Sequence, residues 1–189
     1  MADPELIPVE DRPVVMTVAG LDPSGGAGIL TDTAAIRACG LHPVSVLTSV
    51  AVQNTNRVSR RHDLPVDLLR AQLDVLAEEF LLGAVKTGML ATEATVAALA
   101  EWFSDRPRLP VVVDPVLRAT SGGELGTAGS VNEVRERLLP RARVVTPNLD
   151  EAVALSGRAI SERDQVPPVA QAILDLGADW VLVKGGHLG

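Results

Sequence analysis

A chain of 189 residues, 47% of them apolar, is long enough for one domain with a real core and too apolar to stay disordered. Its net charge of −7 excludes a phosphate-backbone partner, because nucleic-acid binding relies on Lys and Arg neutralising phosphates. Aromatic side chains make up only 2%, with no Tyr, so the core must be aliphatic.

Met1 to Arg12 is acidic and carries two prolines. It lacks the basic start and apolar run of a signal peptide, and residues 1–13 read as a tail ahead of a single domain over residues 14–189. No stretch approaches the roughly 20 apolar residues needed to span a bilayer. Cys39 is the one cysteine, which rules out an intramolecular disulfide and fits a reducing compartment. The expectation is a soluble, cytoplasmic protein that handles phosphates, if at all, with local dipoles and metal ions.

From Val14 onward, short apolar runs alternate with helix-length amphipathic segments. Strands are expected over residues 14–19, 44–52, 84–87, 111–114, 143–146 and 180–183, several of them nearly continuous Val/Leu runs of the kind buried on both faces of a parallel sheet. Helices are expected over 28–39, 66–80, 93–103, 131–139, 149–155 and 165–176. Thr92 stands as an N-cap, and Gly40 and Gly177 fall where helix-ending glycines belong. This alternation is that of an α/β, doubly wound domain, in which ligands gather outside the carboxyl ends of the strands.

The residues after each strand are therefore the candidates. The first strand runs into Ala19-Gly20-Leu21-Asp22-Pro23-Ser24-Gly25-Gly26-Ala27-Gly28 and a helix containing Asp32. Its glycines let backbone approach a ligand and leave amides free at a helix start, although a tight turn with no ligand accounts for them equally well. The sequence is neither the G-x-x-x-x-G-K-[ST] nor the G-x-G-x-x-G fingerprint. The second strand closes on Gln53-Asn54-Thr55, where a Gln amide offers donor and acceptor in one plane to a heterocycle, or simply faces water. After the third strand, in Lys86-Thr87-Gly88-Met89, Met89 is either a flexible apolar wall for a flat ring or ordinary core.

Asp114 closes the Val111-Val112-Val113 run ahead of Pro115 and Val116, with Ser121-Gly122-Gly123 beyond. An acid there needs a cation or a hydrogen-bond network, or else caps a turn. In Thr146-Pro147-Asn148-Leu149-Asp150-Glu151, Asn148 and Glu151 have capping-box spacing; the functional alternative is that they hold metal-bound water near phosphates. Lys184, before Gly185 and Gly186, fits a phosphate-facing cation or a solvated surface charge. Cys39, His42, His62 and His187 offer no metal or nucleophile arrangement and read as structural.

In this order and at these spacings, AGLDPSGGAG, SVAVQNT, VKTGML, VVVDPV, VTPNLDEA and VLVKGGH closely resemble the bacterial hydroxymethylpyrimidine and phosphomethylpyrimidine kinases of thiamin biosynthesis, members of the ribokinase superfamily. The resemblance runs from about Val14 to Leu188. It implies a ribokinase-like, mainly parallel sheet with helices on both faces, and ATP-dependent phosphorylation of 4-amino-5-hydroxymethyl-2-methylpyrimidine and its monophosphate. ATP and Mg2+ are the implied cofactors, and a homo-oligomer is the common state. By position, Gln53 matches the glutamine that pairs with the pyrimidine and its amino group. Gly20, Ala27 and Asp32 match positions lining the substrate pocket, and Met89 and Val116 match its apolar walls. Asp114 and Glu151 match the metal side, and Asn148 and Lys184 the nucleotide side. Val52 stands where Ala or Thr is frequent, and Thr87 where Ile is usual.

The family continues past the Gly-Gly-His loop into a Gly-Thr-Gly-Cys or Gly-Thr-Gly-Asp helix start, which supplies the anion hole and the region of the catalytic base. No Gly-Thr-Gly triplet occurs in this sequence, whose last residue is Gly189. The resemblance therefore assigns no catalytic residue here and places the catalytic anion-hole segment beyond Gly189. It implies a domain whose C-terminal part is missing, inactive by itself and with an uncovered last strand. Two other readings stay open: a pyridoxal kinase of the same superfamily, and a non-catalytic pyrimidine-binding protein.

Overall fold

The computed structural model describes residues 12–117 and 127–185. Most of the expected tail, Ser121, Gly122 and Gly123, and the residues from Gly186 and His187 to Gly189 lie outside them. Seven strands, β1 (Val14–Leu21), β2 (His42–Gln53), β3 (Val58–Asp63), β4 (Leu82–Thr87), β5 (Val111–Val113), β6 (Val144–Val145) and β7 (Trp180–Val181), form one sheet in the order β3-β2-β1-β4-β5-β6-β7. Every neighbouring pair is parallel except β2 and β3. Six α-helices accompany the sheet among the described residues: α1 (Gly28–Ala38), α2 (Val66–Glu79), α3 (Glu93–Ser104), α4 (Ala128–Glu133), α5 (Leu149–Ser156) and α6 (Val166–Leu174).

Strand register explains which residues form the core and which reach the site. Val44, Met16, Val85 and Val111 lie side by side across four strands. Two residues on, Val46, Val18, Thr87, Val113 and Val145 make a second row. Both rows are buried, and their apolar members join one continuous core with Leu69 and Leu73 of α2, Leu99 and Phe103 of α3, Leu155 of α5 and Ile173 of α6. Residues alternating with these rows point to the opposite face. Thr17 and Lys86 lie level with each other there, and both bond to Asp32 of α1, so α1 covers that face. Thr87 sits in a core row with its hydroxyl buried and without a partner, at a position where a purely apolar side chain would fit.

The expected strands and helices are present, with three differences. The sequence does not announce β3: Val58-Ser59-Arg60-Arg61-His62-Asp63 lacks an apolar run because it is a sheet edge. It turns back on β2 through a loop in which the Asn54 side chain accepts from the amides of Asn56 and Arg57, at 3.0 and 3.1 Å. The helix expected over 131–139 is instead α4, a π-helical turn at Val134–Leu138 and a 3-10 turn at Leu139–Arg141, as suits a segment whose Pro140 has no amide to donate. The helix expected from 165 starts with a 3-10 turn at Arg163–Gln165 and places Pro167 and Pro168 in the first turn of α6, where amides have no helical partner. At the far edge, Trp180 of β7 is 63% exposed and Leu182, just past the strand, 60%.

Candidate active site

One cleft, about 540 Å3 in volume, opens at the carboxyl ends of the strands, where ligands of doubly wound sheets collect. Gly20, Ala27, Asp32, Gln53, Met89, Asp114, Val116, Asn148, Glu151 and Lys184 all line it. The ten expected positions thus come together from six strand ends. The catalytic segment expected beyond Gly189 lies outside the described residues, as Gly189 itself does, and none of the cleft's lining residues is assigned its part.

The first wall is the loop between β1 and α1. Gly28 has φ +64°, and a Cβ there would stand 2.2 Å from the Gly20 carbonyl oxygen; only glycine lets the helix start fold back on the strand. Asp22, buried at the loop's centre, accepts from the Ser24 amide at 2.8 Å and the Ser24 hydroxyl at 2.7 Å. Burial pushes its carboxyl up, but the bonds from Ser24, from the Gln53 side chain and from the Ala27 amide outweigh this and hold it below the usual carboxylate range. The sequence does not single out Asp22. Its signal is a loop acid flanked by small residues, which is also the signature of an ordinary Asx turn.

Met89 forms the second wall. Its carbonyl accepts the buried Thr48 hydroxyl at 2.7 Å, and its side chain packs with Ala91 and Val116 in a small apolar cluster. A Cβ on Gly20 would lie 2.2 Å from Met89 Cε. The bare glycine thus gives the methionine its place beside the cleft, which Met89 and Val116 both line.

Charged groups make the remaining wall. Asp114 Oδ1 takes the Lys184 ammonium at 2.8 Å and the Thr146 hydroxyl at 3.1 Å, which supplies the partners that an acid after a valine run requires. Lys184 also stands 4.0 Å from Glu151 Oε2, and its amide donates to the Pro147 carbonyl at 2.7 Å. Asn148 and Glu151 complete the capping box of α5: each side chain accepts from the other's amide, at 2.9 and 2.8 Å. The capping reading of this pair is met, and both side chains also line the cleft. Burial raises the Glu151 carboxyl above its ordinary value, against the pull of the Asn148 amide and Lys184.

Asp32 faces the cleft with its carboxylate already engaged by Thr17 at 2.6 Å and by Lys86 at 2.9 and 3.0 Å. Lys86 is not among the site residues expected from the sequence. A lysine inside an apolar strand gives no sign of its partner until the fold brings Asp32, 54 residues away, against it.

No group of three or more Asp, Glu, His and Cys side chains is arranged around a metal among the described residues. Asp114 and Glu151 offer two carboxylates on either side of one lysine. That number suits magnesium, which keeps several waters and takes one or two carboxylates together with substrate phosphates.

Comparisons with known proteins bear on the family and the fold. The family model described as phosphomethylpyrimidine kinase matches residues 22–189. The hydroxymethylpyrimidine/phosphomethylpyrimidine kinase of Streptomyces coelicolor is 43% identical over 176 residues, covering 93% of this chain and 65% of that protein. The chain thus spans 65% of that relative's length. The crystal structure of phosphomethylpyrimidine kinase from Clostridium difficile superposes with a TM-score of 0.86 at 34% identity, over 94% of this chain and 77% of the other. Pyridoxal kinase from Staphylococcus aureus in complex with AMP-PCP and pyridoxal gives a TM-score of 0.81 at 33% identity, over 93% and 63%. The fold is the ribokinase-like one these structures share.

Proposed function

Because the chain belongs to the phosphomethylpyrimidine kinase family, we propose that its cleft binds 4-amino-5-hydroxymethyl-2-methylpyrimidine and its monophosphate and phosphorylates them with ATP. The observation that carries this reading is the arrangement of the cleft. An amide and apolar walls, Gln53, Met89 and Val116, share it with a charged wall of Asp114, Lys184, Asn148 and Glu151.

The Gln53 amide pairs with the ring and its amino group, using donor and acceptor together. Met89 and Val116 cover the ring's faces, with the Gly20 backbone drawn in close. Lys184 and the Asn148 region face the nucleotide phosphates. Asp114 and Glu151 would hold a magnesium ion, which would supply charge neutralisation at the phosphates. In the first transfer the hydroxymethyl oxygen attacks the γ-phosphorus in line, its bond to the β-phosphate oxygen breaks, ADP leaves, and the hydroxyl proton passes to a general base. In the second, an oxygen of the monophosphate attacks the γ-phosphorus of another ATP in the same way. Such a reaction depends chiefly on positioning and on stabilising the charge of the transferring group. No described residue is assigned as that base.

A side-by-side turnover assay tests the reading. With ATP, magnesium and a protein that also carries the Gly-Thr-Gly segment the family places after the Gly-Gly-His loop, hydroxymethylpyrimidine is expected to be phosphorylated in preference to pyridoxal. The reverse order would favour a pyridoxal kinase, the activity named for the Staphylococcus aureus relative.

A further inference from the structure

Lys86 has no place in the roles above, yet its ammonium sits between the cleft's carboxylates. On β4 it lies level with Thr17 of β1 and Val112 of β5, so it leaves the sheet on the α1 face. There Nζ meets both oxygens of Asp32, at 2.9 and 3.0 Å, and stands 3.7 Å from Oδ2 of Asp114. The other Asp114 oxygen is taken by Lys184 and Thr146. Lys86 thus approaches Asp114 through the oxygen that accepts no hydrogen bond from these side chains. Its place is built: a Cβ on Gly88 would come within 3.1 Å of Lys86 Nζ and 3.0 Å of Ala19 Cβ, and the glycine leaves that space to the ammonium.

The result is an alternating row of charges, Asp32, Lys86, Asp114, Lys184 and Glu151, each beside a partner of opposite sign. The two lysines differ in exposure. The Lys184 side chain is 44% exposed and that of Lys86 24%, so Lys184 can turn toward a bound phosphate while Lys86 is held by two bonds to Asp32.

We propose that Lys86 is a positioning residue for metal-nucleotide binding. It is a fixed counter-cation that holds Asp114 and offsets its charge, so that the cleft takes up a metal together with a polyphosphate rather than a bare cation. The proposal rests on the kinase reading of the cleft. A charge a few ångströms away in a partly solvated site changes the affinity for an ion by roughly tenfold, attracting one sign as it repels the other.

The test compares the 189-residue chain with K86M and K86R. Each is titrated with Mn2+ alone, followed by the electron paramagnetic resonance of the free ion, and with AMP-PCP in EDTA, followed by calorimetry. K86M is expected to bind Mn2+ about tenfold more tightly and metal-free AMP-PCP about tenfold more weakly, with K86R close to the parent chain. Two shifts of opposite sign are the mark of a charge effect, since a damaged fold weakens both. If K86M fails to melt cooperatively, K86Q, which keeps a donor for Asp32, is expected to show the same pair of shifts. Affinities that fall together, or Mn2+ binding that does not change, including no binding by either chain, would overturn the proposal. The kinase reading fails differently: the parent chain would bind neither hydroxymethylpyrimidine nor Mg–AMP-PCP, whatever Lys86 does to Mn2+.

Discussion

Lys184 and Asp114, 70 positions apart in the chain, meet at 2.8 Å across the carboxyl ends of the sheet. The contact joins the loop after β7 to the end of β5 and gives the charged wall of the cleft its shape. Because Lys184 is 44% exposed, the pair itself contributes little to stability, typically below about 1 kcal/mol. D114N is therefore expected to melt within a few degrees of the parent chain while its affinity for Mg–AMP-PCP falls at least about tenfold, since a charge-assisted contact is lost. Thermal melting and calorimetry on the same samples check both halves.

Glu151 connects stability to pH. Burial raises its carboxyl above the ordinary value, so the folded chain keeps a proton that the unfolded chain has already lost. Between the ordinary and the raised value the folded state binds more protons, and this group's effect is to lower stability as pH rises through that window and to hold it there above. E151Q keeps an acceptor for the Asn148 amide and carries no charge. Its melting temperature should match the parent's below the window and exceed it above, while Mg–AMP-PCP binds more weakly. Equal melting temperatures at neutral pH would contradict the assignment.

Two glycines of the first loop should fail in different ways. G28A places a side chain at φ +64°, 2.2 Å from a backbone oxygen that cannot move aside, and the left-handed backbone alone costs about 1–2 kcal/mol. At Gly20 the nearest atom is the end of the flexible Met89 side chain. G20A should therefore keep most of its stability and lose pyrimidine affinity as Met89 is pushed into the cleft. Urea unfolding and ligand titration separate the two outcomes.

Thr87 carries a buried hydroxyl with no partner. T87V replaces it with a methyl group of similar size and is expected to stabilise the fold by about 1 kcal/mol or more, the usual penalty for an unsatisfied buried group. Urea denaturation of the two chains measures it.

How much of the fold and the cleft is legible from the residues follows from the kind of signal each part leaves. Valine runs such as Val111–Val113 declare buried parallel strands, and the residues just after them line the cleft because the topology places every parallel strand end on one side. Short-range devices are equally readable: the Thr92 cap accepts from Thr95 at 3.1 Å, and Asn148 and Glu151 close their box. β3 is hidden because an edge strand has one partner and no need of apolar side chains. Lys86 and Asp22 are hidden because their importance lies in partners that only the folded sheet brings near: Asp32 and Asp114 for the first, Gln53 for the second.

The central claim is that Gln53 and the apolar walls beside it recognise an aminopyrimidine. Calorimetric titration of this chain and of Q53A with 4-amino-5-hydroxymethyl-2-methylpyrimidine, and separately with Mg–AMP-PCP, tests it most directly. The account predicts one pyrimidine site per chain, weakened by roughly tenfold or more in Q53A as its hydrogen bonds are lost, with nucleotide affinity unchanged. Pyrimidine binding that is absent, or indifferent to Q53A, would contradict it.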